Sequence, residues 1–170
     1  GRVLLKGRLK FRRNVTWTSR IMYDGGLDKW LVRETGIMVP VPELWGHIFV
    51  GRTKEGFSLN KVMVGYAGWT MERSTTVVAT VPLLADGIKW MGYLPKQRLL
   101  YVLGWYTDVL SEGQSFSSYD QQVVARVGLL PILEEKGTLL HVALTGRYGL
   151  VNDRTLRLRS RPELHISPDF

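Results

Sequence analysis

Three arginines alternate with other residues near the end of the sequence, in the run Arg157-Leu158-Arg159-Ser160-Arg161. In a β-strand, side chains at i, i+2 and i+4 point to the same face, about 7 Å apart. Guanidinium groups at this spacing repel one another unless water or an anion lies between them, and their planar forks suit phosphate or carboxylate well. The run predicts either an anion-guiding ladder or the solvated face of an edge strand, where charge opposes aggregation.

A second basic series lies at the start of the chain. Basic residues fill most even positions and apolar residues most odd ones: Arg2, Lys6, Arg8, Lys10 and Arg12 against Val3, Leu5, Leu9 and Phe11. This period of two predicts a strand with one basic and one apolar face. The following run from Val15 to Asp24 alternates in the same way, so we predict a β-hairpin that turns at Arg13-Asn14. The basic face could also serve as a stripe for a nucleic-acid backbone.

Similar alternation recurs on both sides of residues 57–86 and predicts an all-β fold. We predict about nine strands, in the runs 2–12, 15–24, 29–37, 45–52, 88–94, 98–106, 121–130, 139–150 and 155–161. Soluble strands average about five or six residues, whereas about ten tilted residues cover the ~25 Å apolar band of an outer-membrane barrel. The pattern therefore favours an antiparallel transmembrane β-barrel of the porin type over a sandwich with aromatic residues in its core.

A long segment without clear alternation separates the fourth and fifth predicted strands. Long connections of this kind are usually functional or disordered. Residues 57–86 include Val62, Met63, Val64, Tyr66 and Trp69, which are too apolar to extend freely into water. We therefore predict that this loop folds inward as a constriction or docks on a neighbouring protomer.

Composition narrows the classes of function. A formal net charge of +8 indicates anionic partners. The absence of Cys excludes disulfides and thiol catalysis, and three separated His predict no metal cluster. Apolar runs are too short for a membrane helix. We find no nucleophile elbow and no phosphate-binding loop, so neither enzyme activity nor a cofactor is predicted.

Several stretches resemble the phosphate-selective porin O and P family, in the order expected for it. They are the Lys6-Gly7 turn, Arg20 to Asp24, the block Gly51-Arg52-Thr53-Lys54-Glu55-Gly56-Phe57-Ser58-Leu59, Met71-Glu72-Arg73, and Arg157 to Glu163. The block followed by Met-Glu-Arg is the most specific element, because strand patterning does not generate it. One departure is Gly56, where the family usually has Pro.

The resemblance implies a trimeric, sixteen-stranded outer-membrane barrel with a loop in its lumen, of which residues 1–170 would form about half, as a single domain. It implies that Arg157, Arg159 and Arg161 form an arginine ladder and that Arg52 and Lys54 are constriction residues. Strand facing adds further candidates for the anion pathway: Arg8, Arg20, Arg126 and Arg147.

Two functions remain open from the sequence. The first is a channel in the outer membrane of a Gram-negative bacterium, through which small anions such as phosphate or polyphosphate diffuse passively. Its expected partners are these anions, membrane lipid and identical protomers, without nucleic acid. The second is a soluble all-β module that binds nucleic acid or another polyanion through the basic strands and exposed aromatic side chains.

Overall fold

The computed structural model describes residues 1–25, 28–62, 74–82, 84–107, 109, 119–134, 137–151 and 158. Within these residues, eight strands form one antiparallel sheet in chain order, which confirms the all-β prediction. The strands are β1 (Arg2–Lys10), β2 (Asn14–Asp24), β3 (Lys29–Val41), β4 (Gly46–Thr53), β5 (Ala85–Leu94), β6 (Leu99–Thr107), β7 (Tyr119–Leu133) and β8 (Leu139–Val151). The sheet is open rather than closed, and β1 and β8 are its two edges.

Three short helices complete the described elements. A 3-10 helix (Pro42–Leu44) joins β3 to β4, while α1 (Leu59–Val62) and α2 (Thr75–Thr80) lie in the connection between β4 and β5. The last positions of the loop predicted at 57–86 belong to β5. In the described part of the chain, no helix combines the length and apolar character needed to cross a bilayer.

Two strands continue through a proline beyond their predicted ends at residues 37 and 130. β3 continues beyond Ile37 through Pro40, which stands opposite His47 just before the 3-10 helix. β7 continues through Pro131, beside a register shift between Leu129 and Ile132, where an irregular ladder does not need the missing proline N–H. The ninth predicted strand, 155–161, lies outside the described residues except for Leu158.

Strand pairing places the side chains in rows that cross all eight strands, because residues directly opposite one another share a face of the sheet. One face, here called the covered face, carries the row Arg8, Thr16, Met38, Phe49, Lys89, Gly104, Val124 and Arg147. The other, here called the open face, carries the row Gly7, Trp17, Ile37, Val50, Ile88, Trp105, Val123 and Tyr148. The second row contains no charged side chain.

A soluble sheet usually buries its apolar face and exposes its polar face, and β7 and β8 show the opposite arrangement. On β7, Gln122 and Val124 of the covered face are buried, whereas Val127 of the open face, opposite Tyr101 and Leu144, is 49% exposed. On β8, Leu144 is 81% exposed. The small buried core of Ala85, Tyr106 and Val124 lies on the covered face, where Phe57 of the β4–β5 connection packs against it. On β7 and β8, the polar face of the sheet is therefore the more buried one and the apolar face the more exposed one.

Gly51 provides a test of the register between β3 and β4. Its φ of +134° disfavours a side chain, and an added Cβ would lie 2.3 Å from the carbonyl oxygen of Thr35. We expect Gly51→Ala to lower the free energy of unfolding by ~1–3 kcal/mol, measured by urea titration in detergent. Gly146→Ala is the matched control, because nothing lies within 4 Å of the added Cβ. Equal urea midpoints for the two variants would contradict this register.

Candidate functional site

The connection between β4 and β5 lies across the covered face. Glu55 follows the end of β4 by two residues, yet its Oε2 accepts a hydrogen bond of 2.7 Å from Nε2 of Gln122 on β7. Its Oε1 pairs with the guanidinium of Arg147 on β8. Gly56 approaches β6 so closely that an added Cβ would lie 2.5 Å from Cγ1 of Val102. The start of the connection is therefore held against the far strands of the sheet.

Arg147 joins the two described parts of this connection. Its Nη2 donates to Glu55 before α1, and its Nη1 donates to the backbone carbonyl of Thr80 at the end of α2. The guanidinium carbon also lies 4.4 Å from the ring centroid of Phe57, within the range of a cation–π contact. One side chain of β8 thus contacts three positions of the connection.

A cavity of about 580 Å³ opens on the covered face between β1 and β5. Four cationic side chains and one carboxylate are among its lining residues: Lys6, Arg8, Arg20, Lys89 and Glu34. Four positive charges against one negative charge give the lining a net charge of +3. Thr16, Thr18 and Thr53 also line the cavity; the hydroxyl groups of Thr16 and Thr53 donate to the backbone carbonyls of Met38 and Lys54. The cavity is thus suited to hold a hydrated or partly dehydrated anion.

Hydrogen bonds fix the ammonium group of Lys89 in this cavity. Its Nζ donates to Thr53 Oγ1 at 3.0 Å and to the backbone carbonyl of Lys54 at 3.2 Å, and it lies 5.5 Å from the ring centroid of Phe49. Arg20 forms an ion pair of 2.9 Å with Glu34. Lys89 was not among the predicted pathway residues, although it stands between Ile88 and Trp90 of the open face. This alternation is the sequence signal that could have identified Lys89 as a pathway residue.

The structure separates the predicted pathway residues into distinct environments. Arg8 and Arg20 line the basic cavity. Arg126 is half-buried on the covered face, opposite Val102 and Thr145. Arg147 lies under the β4–β5 connection, as described above.

Two further candidates lie at the end of β4 and directly after it. Arg52 is buried in an ion pair of 3.0 Å with Asp86 of β5. Nζ of Lys54 donates to the backbone carbonyl of Val62 at 3.3 Å, within the same connection. Neither position lines the basic cavity. The predicted ladder of Arg157, Arg159 and Arg161, and the Met71-Glu72-Arg73 motif, lie outside the described residues.

Comparisons with known proteins identify no relative of this chain. No family model, curated protein or solved structure matches it. The likeness to phosphate-selective porins therefore stays a prediction from the motifs of the sequence. Among the described residues, no group of three or more His, Asp or Glu side chains could hold a metal ion.

Proposed function

We propose that this chain forms part of a β-barrel channel in the outer membrane of a Gram-negative bacterium, where small anions diffuse through a passage lined by Lys and Arg. The observation that supports the proposal most strongly is the polarity of the sheet. An uncharged row crosses all eight described strands on the open face and is exposed from Ile37 of β3 to Tyr148 of β8, while Arg8, Lys89, Arg147 and the packed connection lie on the other face. Lipid-facing barrel strands alternate in this way.

The distribution of aromatic residues agrees with the same proposal. Phe11 and Trp45 lie at the end of the sheet that contains the β1–β2 and β3–β4 turns, and Trp30 lies toward the opposite end; all three are largely exposed. Membrane barrels carry aromatic girdles at both edges of their apolar band. A soluble polyanion-binding module would instead expose to water a continuous apolar surface of the kind that marks interaction sites.

Selectivity for anions would come from the basic cavity. Cationic side chains replace part of the hydration shell of an anion, and a passage of this kind conducts only when each site binds weakly enough to release it. Lys6 and Arg8 of β1 and Lys89 of β5 provide this charge, so that no single position dominates. Phosphate and polyphosphate are the proposed solutes. A homotrimer, also implied by the resemblance, is the proposed assembly.

Reconstitution into planar bilayers tests this function. We expect discrete conductance steps and, across a tenfold KCl gradient, a reversal potential whose sign reports chloride permeating faster than potassium. Added phosphate should reduce the chloride current by competing for the same cations. A heat-unfolded sample is the control for contaminating channels. Absence of insertion, with tight binding of the detergent-free chain to single-stranded nucleic acid, would support the soluble alternative and refute the channel.

A further inference from the structure

We propose that Arg147 is a positioning residue that fastens the β4–β5 connection to the wall of the sheet and so sets the width of the passage. Its effect on width rests on the proposed channel function, but its role in holding the connection does not. Arg147 lies on β8, whereas the connection begins at the end of β4, so the contact spans several strands of the sheet. Through this contact, one side chain reaches both described parts of the connection, residues 54–62 and residues 74–82.

The chemistry of the contact requires a guanidinium group. Separate nitrogens of Arg147 donate to the carboxylate of Glu55 and to the carbonyl of Thr80, and the planar group also lies against the ring of Phe57. A lysine ammonium is a point charge on a flexible stem and cannot reproduce a planar fork and a stacked face together. Arginine at this position is therefore used for its geometry as well as its charge.

The charge of Arg147 is compensated where it lies. Glu55 is fully buried, and its carboxylate meets both Arg147 and Gln122. The pair adds no net charge to the passage, in contrast to the basic cavity with its net charge of +3. Arg147 therefore contributes to permeation through the position of the connection, while the cavity contributes the selectivity for anions.

The test uses a variant that removes the contact without changing net charge. Glu55→Gln with Arg147→Gln removes one carboxylate and one guanidinium, so the formal net charge stays +8. In planar bilayers we expect a larger single-channel conductance and entry of larger polyethylene glycols, with an unchanged anion-to-cation permeability ratio. Arg147→Lys should admit the same larger polymers, because it keeps the charge but loses the fork. Lys96→Gln, in the exposed β5–β6 turn, is the control.

Hydrogen–deuterium exchange provides a second measurement that does not depend on conduction. Backbone amides in residues 54–62 and 74–82 should exchange at least about tenfold faster in the double variant, whereas those of β7 should not change; tenfold corresponds to ~1.4 kcal/mol. If the native chain does not conduct but this acceleration is seen, the channel function fails and the fastening role stands. Unchanged exchange, or a lower permeability ratio with an unchanged polymer limit, would overturn the proposal.

Discussion

Leu144→Arg is expected to weaken the insertion of the folded chain into lipid bilayers by at least about 30-fold. Leu144 is the most exposed of the large apolar side chains on β8, and it lies in the apolar series of the open face. An arginine on the lipid face costs ~2–4 kcal/mol at the bilayer midplane. The equilibrium constant for insertion should therefore fall by about 30-fold to 1,000-fold, since each 1.4 kcal/mol is a factor of ten. The measurement is urea-dependent folding into lipid vesicles.

Ala143→Arg is the matched control for this substitution. Ala143 is the neighbouring residue, is also exposed, and lies on the opposite face, across from Gly128. The same charge placed there should leave insertion within about 1 kcal/mol of the native chain, because it would lie on the hydrated side. Equal effects of the two arginines, whether both large or both small, would show that lipid does not cover the open face alone.

Removal of three cations from the basic cavity is expected to abolish most of the preference for anions. Lys6→Gln, Arg8→Gln and Lys89→Gln together change the net charge of the lining from +3 to 0. Two unit charges 4 Å apart interact by ~4 kcal/mol near a protein surface, so even partial loss of these interactions should lower the anion-to-cation permeability ratio by at least about tenfold. Reversal potentials in 0.1 M KCl gradients measure this ratio.

Measurements at high salt and on a second variant distinguish the electrostatic effect of the basic cavity from that of the protein's overall charge. The screening length falls from about 10 Å at 0.1 M to about 3 Å at 1 M, so the difference between native and variant channels should shrink at high salt. Three exposed cations outside the cavity, Lys10, Lys96 and Arg98, can be replaced by Gln for comparison. If this second variant lost as much selectivity as the first, the cavity would not be the selective site.

Alternation in the sequence correctly predicts on which face of the sheet a side chain lies wherever the strand is regularly pleated. On β7 the alternation assigned Val123 and Val127 to one side and Arg126 to the other, as the structure shows. On β3 alternation was weaker, because the register with β2 shifts between Ser19 and Ile21. Val32 and Ile37 therefore share the open face although one position is even and the other odd. A shift of this kind depends on the partner strand and is not visible in the residues of β3.

The sequence could not predict the contacts of the β4–β5 connection, for a different reason. Glu55 and Arg147 are 92 residues apart and meet only because the β4–β5 connection folds back over the sheet. Alternation placed Arg147 on the polar face, but it could not show that the guanidinium group would pair with a buried carboxylate. Likewise, Arg52 was proposed from its motif, whereas its burial beside Asp86 follows from the pairing of β4 with β5.

Site-directed spin labelling along β8 tests most directly whether the open face meets lipid. The sequence contains no Cys, so single cysteines at positions 142 to 146 can each carry the only label in the chain. In vesicles, we predict that labels at 142, 144 and 146 collide mainly with oxygen dissolved in lipid, and labels at 143 and 145 mainly with a water-soluble nickel chelate, with a period of two. Equal accessibility to both reagents at all five positions, or nickel exposure at 142, 144 and 146, would contradict a membrane-inserted barrel.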